Sequence, residues 1–282
     1  MLLLLLACAT PADTADTADT ADSGTPWTGP APLPTELIGR VEVVELPAGA
    51  YSRVGATLRS GPLPTTQGVV AEEGDCVVLQ GALTDGWLCE PECVWGSQSC
   101  IDGECVDWPS NAPSGDITVT GLTPGTAVLE VLDQGLYGSP SGFSDGELFD
   151  AGDPIHVESE GGATPAFALD AIGVAPVTFT YTPIETGEDM TFRWTPGDAR
   201  IEVQLETGWH GANALTTIWC NTDDDGELTI PGALTAHFDR PSCGECGMST
   251  ARRLTRDVVD FGQGPIELLV ASEQNFVAWW GM

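Results

Sequence analysis

The cysteines constrain the fold of this chain more than any other feature. There are nine in 282 residues. Cys8 stands alone near the N-terminus, and the other eight fall into two groups: Cys76, Cys89, Cys93, Cys100 and Cys105, then Cys220, Cys243 and Cys246. Both groups are odd in number. If all eight are oxidised, at least one bridge must join the groups, and the N-terminal part of the chain is stapled to the C-terminal part. We expect Cys220 to reach back to the first group and Cys243 to pair with Cys246; the rest of the connectivity stays open. The stretch "CEPECVWGSQSCIDGEC" reads as a small loop-rich knot with a core of cysteine and tryptophan (Trp87, Trp95, Trp108). Its C-x3-C and C-x4-C spacings lack the two-residue knuckle of common zinc sites, so disulfides are expected there rather than a metal.

Alternation of apolar and polar residues predicts strands with one buried side. It is clearest at Ile117–Thr120, Val177–Thr182 and Ile201–Glu206. Further short strands are expected near Arg40–Leu46, Arg53–Leu58, Gln67–Val70, Cys76–Leu79, Thr126–Leu132, Ile155–Glu158, Met190–Trp194, Leu215–Cys220, Glu227–Ile230, Leu234–Phe238, Pro265–Ala271 and Asn275–Trp280. One window competes as a helix: Ser249–Phe261 has no Gly or Pro, and Leu254, Val258 and Phe261 fall at helical spacing behind a serine cap. Many short strands at a spacing of roughly ten residues argue an all-β protein, an antiparallel β-sandwich of immunoglobulin-like or jelly-roll-like type, with a small disulfide-rich unit. The longest irregular piece, Asp133–Asp153, is the loop expected to carry a binding surface.

The N-terminus sets the compartment. Five leucines from Leu2 to Leu6 precede Ala7 and Cys8, and a threefold "TAD" repeat ends at Asp22. Leu5-Leu6-Ala7-Cys8 resembles the lipobox of bacterial lipoproteins, which implies cleavage before Cys8 and a diacylglycerol on its thiol. The apolar run is too short to span a bilayer, as a cleaved signal would be. No basic residue precedes Arg40, whereas a signal normally begins with one, so the true start is expected upstream. Ala9 follows the cysteine, and the resemblance to lipoproteins then implies the outer membrane. From Thr10 to about Pro34 only Trp27 and Leu33 are bulky and apolar, so a solvated tether is expected, stiffened by Asp13, Asp16, Asp19 and Asp22.

The formal net charge of −33 comes from 42 acids against nine arginines and no lysine. Such a surface opposes nucleic acid and anionic headgroups and leaves cations as natural partners. Lysine Schiff-base chemistry and a P-loop lysine are excluded. The basic cluster Arg252, Arg253 and Arg256 is expected to be a solvated face.

Three motifs bear on chemistry. Asn221, Asp223 and Asp225 ahead of Gly226 copy the start of an acidic calcium loop, but Gly232 stands where the bidentate carboxylate belongs; a hairpin turn accounts for the same residues. Cys243 and Cys246 have redox-dithiol spacing without a helix N-terminus before them, so a structural disulfide is expected. His156 lies in a strand, His210 in a Gly-flanked loop and His237 beside Phe238; no HExxH, nucleophile elbow or Gly-rich phosphate loop accompanies them.

Phe149–Phe167 and Phe192–Pro231 resemble segments of uncharacterised bacterial surface lipoproteins that carry Thr/Asp-rich tethers and a Cys-rich unit. With the N-terminus the likeness covers about half the chain and implies no catalytic residues. The expected organisation is a signal peptide over 1–7, a tether over 8–34, N-terminal strands with the cysteine unit over 35–108, and a sandwich over 109–282. The expected role is a binding or structural module held on the bacterial envelope by membrane lipid on Cys8. Its partner would be a protein or glycan and not nucleic acid, and the one candidate cofactor is a calcium ion at Asn221, Asp223 and Asp225. The rival readings are a thiol oxidoreductase using Cys243 and Cys246, and a hydrolase with its site in the Asp133–Asp153 loop.

Overall fold

The computed structural model of the chain describes residues 30–46, 51–209, 212–238 and 249–276, the side chains of 207–214 excepted. Cys8, the segment up to residue 29, His210, Cys243 and Cys246 lie outside the described residues, as does Asn275–Trp280 beyond Phe276.

Strands dominate. In chain order they are β1 (Gly39–Glu45), β2 (Ser52–Leu58), β3 (Gly68–Glu73), β4 (Cys76–Gln80), β5 (Gln98–Ile101), β6 (Glu104–Asp107), β7 (Ile117–Thr120), β8 (Ala127–Leu129), β9 (Pro154–Ser159), β10 (Ala168–Ile172), β11 (Thr180–Tyr181), β12 (Met190–Arg193), β13 (Arg200–Trp209), β14 (Ala212–Asp223) and β15 (Glu227–Ile230). A single helical turn, α1 (Gly232–Thr235), precedes β16 (Ser249–Asp260) and β17 (Pro265–Phe276).

An eight-stranded sheet in the order β2-β1-β17-β16-β13-β14-β4-β3 forms the frame. One face carries two smaller sheets. The four-stranded β10-β9-β7-β8 sheet packs on β1, β2 and β17 through Val41, Val43, Leu268, Ile117, Ile155 and Leu169. The three-stranded β11-β12-β15 sheet packs on β4, β13, β14 and β16 through Val78, Val203, Ile218, Met190, Phe192 and Ile230. The architecture is thus all-β and sandwich-like, with two covering layers on one long sheet. Side chains of the frame also hold the covering layers by hydrogen bonds: Ser272 Oγ accepts from Val177 N at 3.2 Å, and Gln274 Oε1 from Phe179 N at 2.8 Å.

β1 joins the frame parallel to β17, from Gly39 against Ile266 to Glu45 against Ser272, so the main sheet is not purely antiparallel. That pairing joins residues on both sides of the expected boundary at 108/109. Position 108 closes the cysteine unit but does not separate two sheets. On its other side β1 pairs with β2, and Gly39 permits the close approach there, because a Cβ would sit 2.3 Å from Leu58 Cδ2 and 3.1 Å from Thr57 O.

The expected helix over Ser249–Phe261 is overturned: β16 is a strand paired along its length with β17 and in part with β13. Helical spacing at Leu254 and Val258 is outweighed because both strand faces are buried. Ala251 and Arg253 face the covering layers, while Arg252, Leu254 and Arg256 face the other way. Conversely, the strand expected over Leu234–Phe238 is displaced by α1. Pro231 supplies its extended N-cap, and Gly232 N donates to Asp189 Oδ1 at 2.7 Å.

Three disulfides are present among the described residues: Cys76–Cys220, Cys89–Cys100 and Cys93–Cys105. The first is the bridge between the two groups that parity requires. It joins directly opposed residues on β4 and β14. The tryptophans expected in the core of the knot lie outside it, with Trp95 96% and Trp87 64% exposed. Cystine alone fills so small a core.

Candidate functional site

On the face of the frame away from the covering layers, arginines and glutamates alternate along a continuous chain. Glu42 pairs with Arg53 at 2.9 Å, Arg53 with Glu273 at 3.2 Å, and Glu273 with Arg252 at 3.4 Å. Arg252 contacts Glu202, Arg256 bonds Glu202 at 2.6 Å and Glu267 at 3.4 Å, and Glu267 meets Arg40. The two ends, Arg40 and Glu42, sit two residues apart on one face of β1. The strand register places these eight groups around the small apolar cluster of Val44, Leu254, Leu269 and Ala271.

The arrangement corrects the expectation of a solvated basic face. Arg252, Arg253 and Arg256 are all buried. Burial opposes ionisation of Glu202, but the Arg252, Arg256 and Arg40 guanidinia outweigh it and hold its carboxyl down at about 2. Burial likewise opposes the charge on Arg252, and Glu202 and Glu273 more than offset it, raising its basicity. Arg253 faces the covering layers and grips Asp224 with two nitrogens, at 2.6 and 3.0 Å. Asp224 also accepts from Trp194 Nε1 at 2.7 Å.

Beside the charged chain lies a cavity of about 740 Å³. Its walls come from β1 and β2 at one side of the frame (Arg40, Glu42, Thr57) and from β4, β13 and β14 at the other (Leu79, Glu206, Thr217). The sheet therefore curves around it. The connection after β2 contributes Arg59 and Leu63, and the Asp133–Asp153 segment contributes Tyr137, Gly138 and Ser139. Arg40 and Glu42 belong to both the charged chain and the cavity, which fixes that wall. Tyr137 is held by its hydroxyl, which accepts from Ser114 N at 2.8 Å and donates to Gly115 O at 3.1 Å.

Two titratable groups in the wall have no partner of opposite charge among the described residues. Arg59 is half-buried, its basicity lowered by burial, and its guanidinium has no partner among the described residues. Glu206, on β13, has its carboxyl raised by burial and accepts only from Gln204 Nε2 among the described residues. Neither was distinguishable in the sequence from the other arginines and glutamates. The available signal was the alternation of Glu202, Gln204 and Glu206 on one face of a strand that is otherwise apolar.

The residues singled out by sequence are mostly elsewhere. Asn221 Oδ1 accepts from Arg200 Nε at 3.1 Å and Nη2 at 2.9 Å, and Asp223 pairs with the same arginine. Asp225 Oδ1 accepts from Glu227 N at 3.3 Å in the turn to β15. A guanidinium thus occupies oxygens of two of the three residues that calcium would need, and the third, Asp225, holds the hairpin turn. The sulfurs of Cys89, Cys93 and Cys105 lie within 4.8 Å of one another. As reduced thiols they could hold a metal ion; in the disulfides seen here they have no thiolate to offer. His156 Nδ1 lies 2.8 Å from Asp170 Oδ1, a hydrogen bond to a carboxylate that raises its basicity; it sits on β9 and is not part of the cavity wall.

Compared with known proteins, the chain matches no protein-family model and no curated protein. No described helix is long and apolar enough to cross a membrane.

Proposed function

We propose that this chain is an extracytoplasmic lipoprotein, anchored through Cys8 and a tether to the bacterial envelope, and that it binds a small polar ligand in the cavity of the main sheet. The observation that carries the binding reading is the cavity itself. Its volume of about 740 Å³ falls in the range of small-ligand sites. Its floor is a strand sheet pinned by buried ion pairs, and a preformed wall loses little entropy on binding. Three disulfides, one of them across the frame, suit an oxidising compartment.

Among the described residues, the cavity wall holds no histidine and no cysteine. Two experiments test the proposal. Palmitate labelling of the protein in a bacterial host should be lost on Cys8→Ser; retained label would remove the anchor. For the cavity, a screen of small polar compounds by thermal shift should find ligands whose effect disappears in Thr57→Trp, which fills the space from the edge of β2. Ligands that stabilise this variant equally would place binding elsewhere.

A further inference from the structure

Resting on the cavity reading above, we infer that the ligand is a small zwitterion, with its carboxylate taken by Arg59 and its amine or quaternary ammonium group taken by Glu206. The argument begins with how this chain spends its few cations. It has nine arginines, no lysine and 42 acids. Arg240 lies outside the described residues. Of the other eight arginines, seven have a carboxylate partner: Arg40, Arg53, Arg193, Arg200, Arg252, Arg253 and Arg256. Arg59 has none among the described residues. In so acidic a chain, an unpaired guanidinium is the exception, and this one lines the cavity.

Glu206 is the complement. It stands in the wall formed by β13, opposed in the register by Thr217 on β14, and its one side-chain partner among the described residues is the neutral amide of Gln204. The other glutamate of the wall, Glu42, is already paired with Arg53.

Among the described residues, the wall thus presents one unmatched positive and one unmatched negative group, and the two do not bond to each other. Both are partly withdrawn from water, where a charge without a partner is costly. A ligand carrying both charges satisfies both at once. A simple anion leaves Glu206 unmatched, a simple cation leaves Arg59 unmatched, and a neutral sugar leaves both. The space of about 740 Å³ admits a molecule from amino-acid to dipeptide size. Arg59, with its planar fork, suits a carboxylate in particular.

The test is calorimetric titration of the full chain in detergent with ω-amino acids from glycine to aminohexanoate and with glycine betaine. Each amino acid is compared with the plain carboxylic acid and plain amine of its length, and glucose serves as the uncharged probe. At least one zwitterion is expected to bind about tenfold or more tightly than both monofunctional counterparts, since each contact is a charge-assisted hydrogen bond. In Arg59→Gln its advantage over the amine should vanish; in Glu206→Gln its advantage over the acid should vanish. Arg59→Lys serves if Arg59→Gln does not fold: losing the fork, it should weaken the zwitterion several-fold and leave the amine unchanged.

No binding by any zwitterion, no preference over the monofunctional compounds, or a preference that survives both neutral variants would overturn the inference. Glucose binding that Thr57→Trp abolishes, without zwitterion preference, would overturn the zwitterion while leaving the cavity as the binding site. Zwitterion binding that persists unchanged in Thr57→Trp would sink the cavity reading and this inference together.

Discussion

Glu202 on β13 and Arg252 on β16 are opposed across two neighbouring strands, both fully withdrawn from solvent, and each is also tied to a second partner of opposite charge. Glu202 is shared between Arg252 and Arg256, so removing its charge strands two buried guanidinia. Glu202→Gln is expected to cost about 3–5 kcal/mol in urea unfolding, the scale for breaking a buried pair from one side. A loss below about 1 kcal/mol would mean that water reaches this face of the sheet.

The pH dependence follows from carboxyls shifted in opposite directions. Burial raises Glu206, and it raises Glu45 in spite of hydrogen bonds from the Leu148 and Phe149 amides. A raised carboxyl favours the folded state in its protonated form, so its contribution grows as pH falls through its folded pKa. Glu202 is lowered from 4.5 to about 2, so its contribution is complete above its unfolded pKa and is lost as pH falls towards 2. Stability measured by thermal unfolding should therefore hold or rise on mild acidification from neutrality and then fall steeply below about pH 4. A steady decline from neutral pH downwards would contradict this.

The Cys76–Cys220 bridge closes a loop with a sequence separation of 144 residues. Cross-linking so long a loop restricts the unfolded chain strongly, so Cys76→Ala with Cys220→Ala is expected to cost roughly 3–5 kcal/mol in denaturant unfolding. A disulfide peptide map of the parent protein should recover this bridge together with Cys89–Cys100 and Cys93–Cys105. Recovery of Cys220 joined to Cys243 or Cys246 would refute the assignment.

Within the acidic turn after β14, the structural aspartate is the one at the even position. Asp224 is buried and holds Arg253 and Trp194, whereas the Asp223 side chain is 81% exposed. Asp224→Ala should destabilise by about 3 kcal/mol or more, and Asp223→Ala by less than about 1 kcal/mol. Chelator should leave the melting temperature unchanged in both and in the parent; a fall on chelation would restore the calcium reading.

Much of this was legible from residue order alone. Period-two alternation at Ile117–Thr120 and Ile201–Glu206 is a local property, because successive side chains of a strand point to opposite faces whatever surrounds them. If all eight cysteines are oxidised, parity of the two groups requires a bridge between the halves, and arithmetic is indifferent to folding. Turn chemistry at Asp225-Gly226 was equally local.

Only the tertiary structure decided β16, the site and the parallel pairing. Leu254 and Val258 fit a helix when judged by their neighbours in sequence; they form a strand because β13 and β17 pair with it on either side and their Glu202, Glu267 and Glu273 satisfy Arg252 and Arg256 on its buried face. β10 escaped notice because its alternation over Ala168–Ile172 is short and weak, and burial against the frame completes it. Arg59 and Glu206 are separated by 147 positions, and nothing local distinguishes them from other charged residues. What sets them apart is the lack of a partner within a shared cavity, and pairing between distant residues is a property that exists only once the sheet has curved.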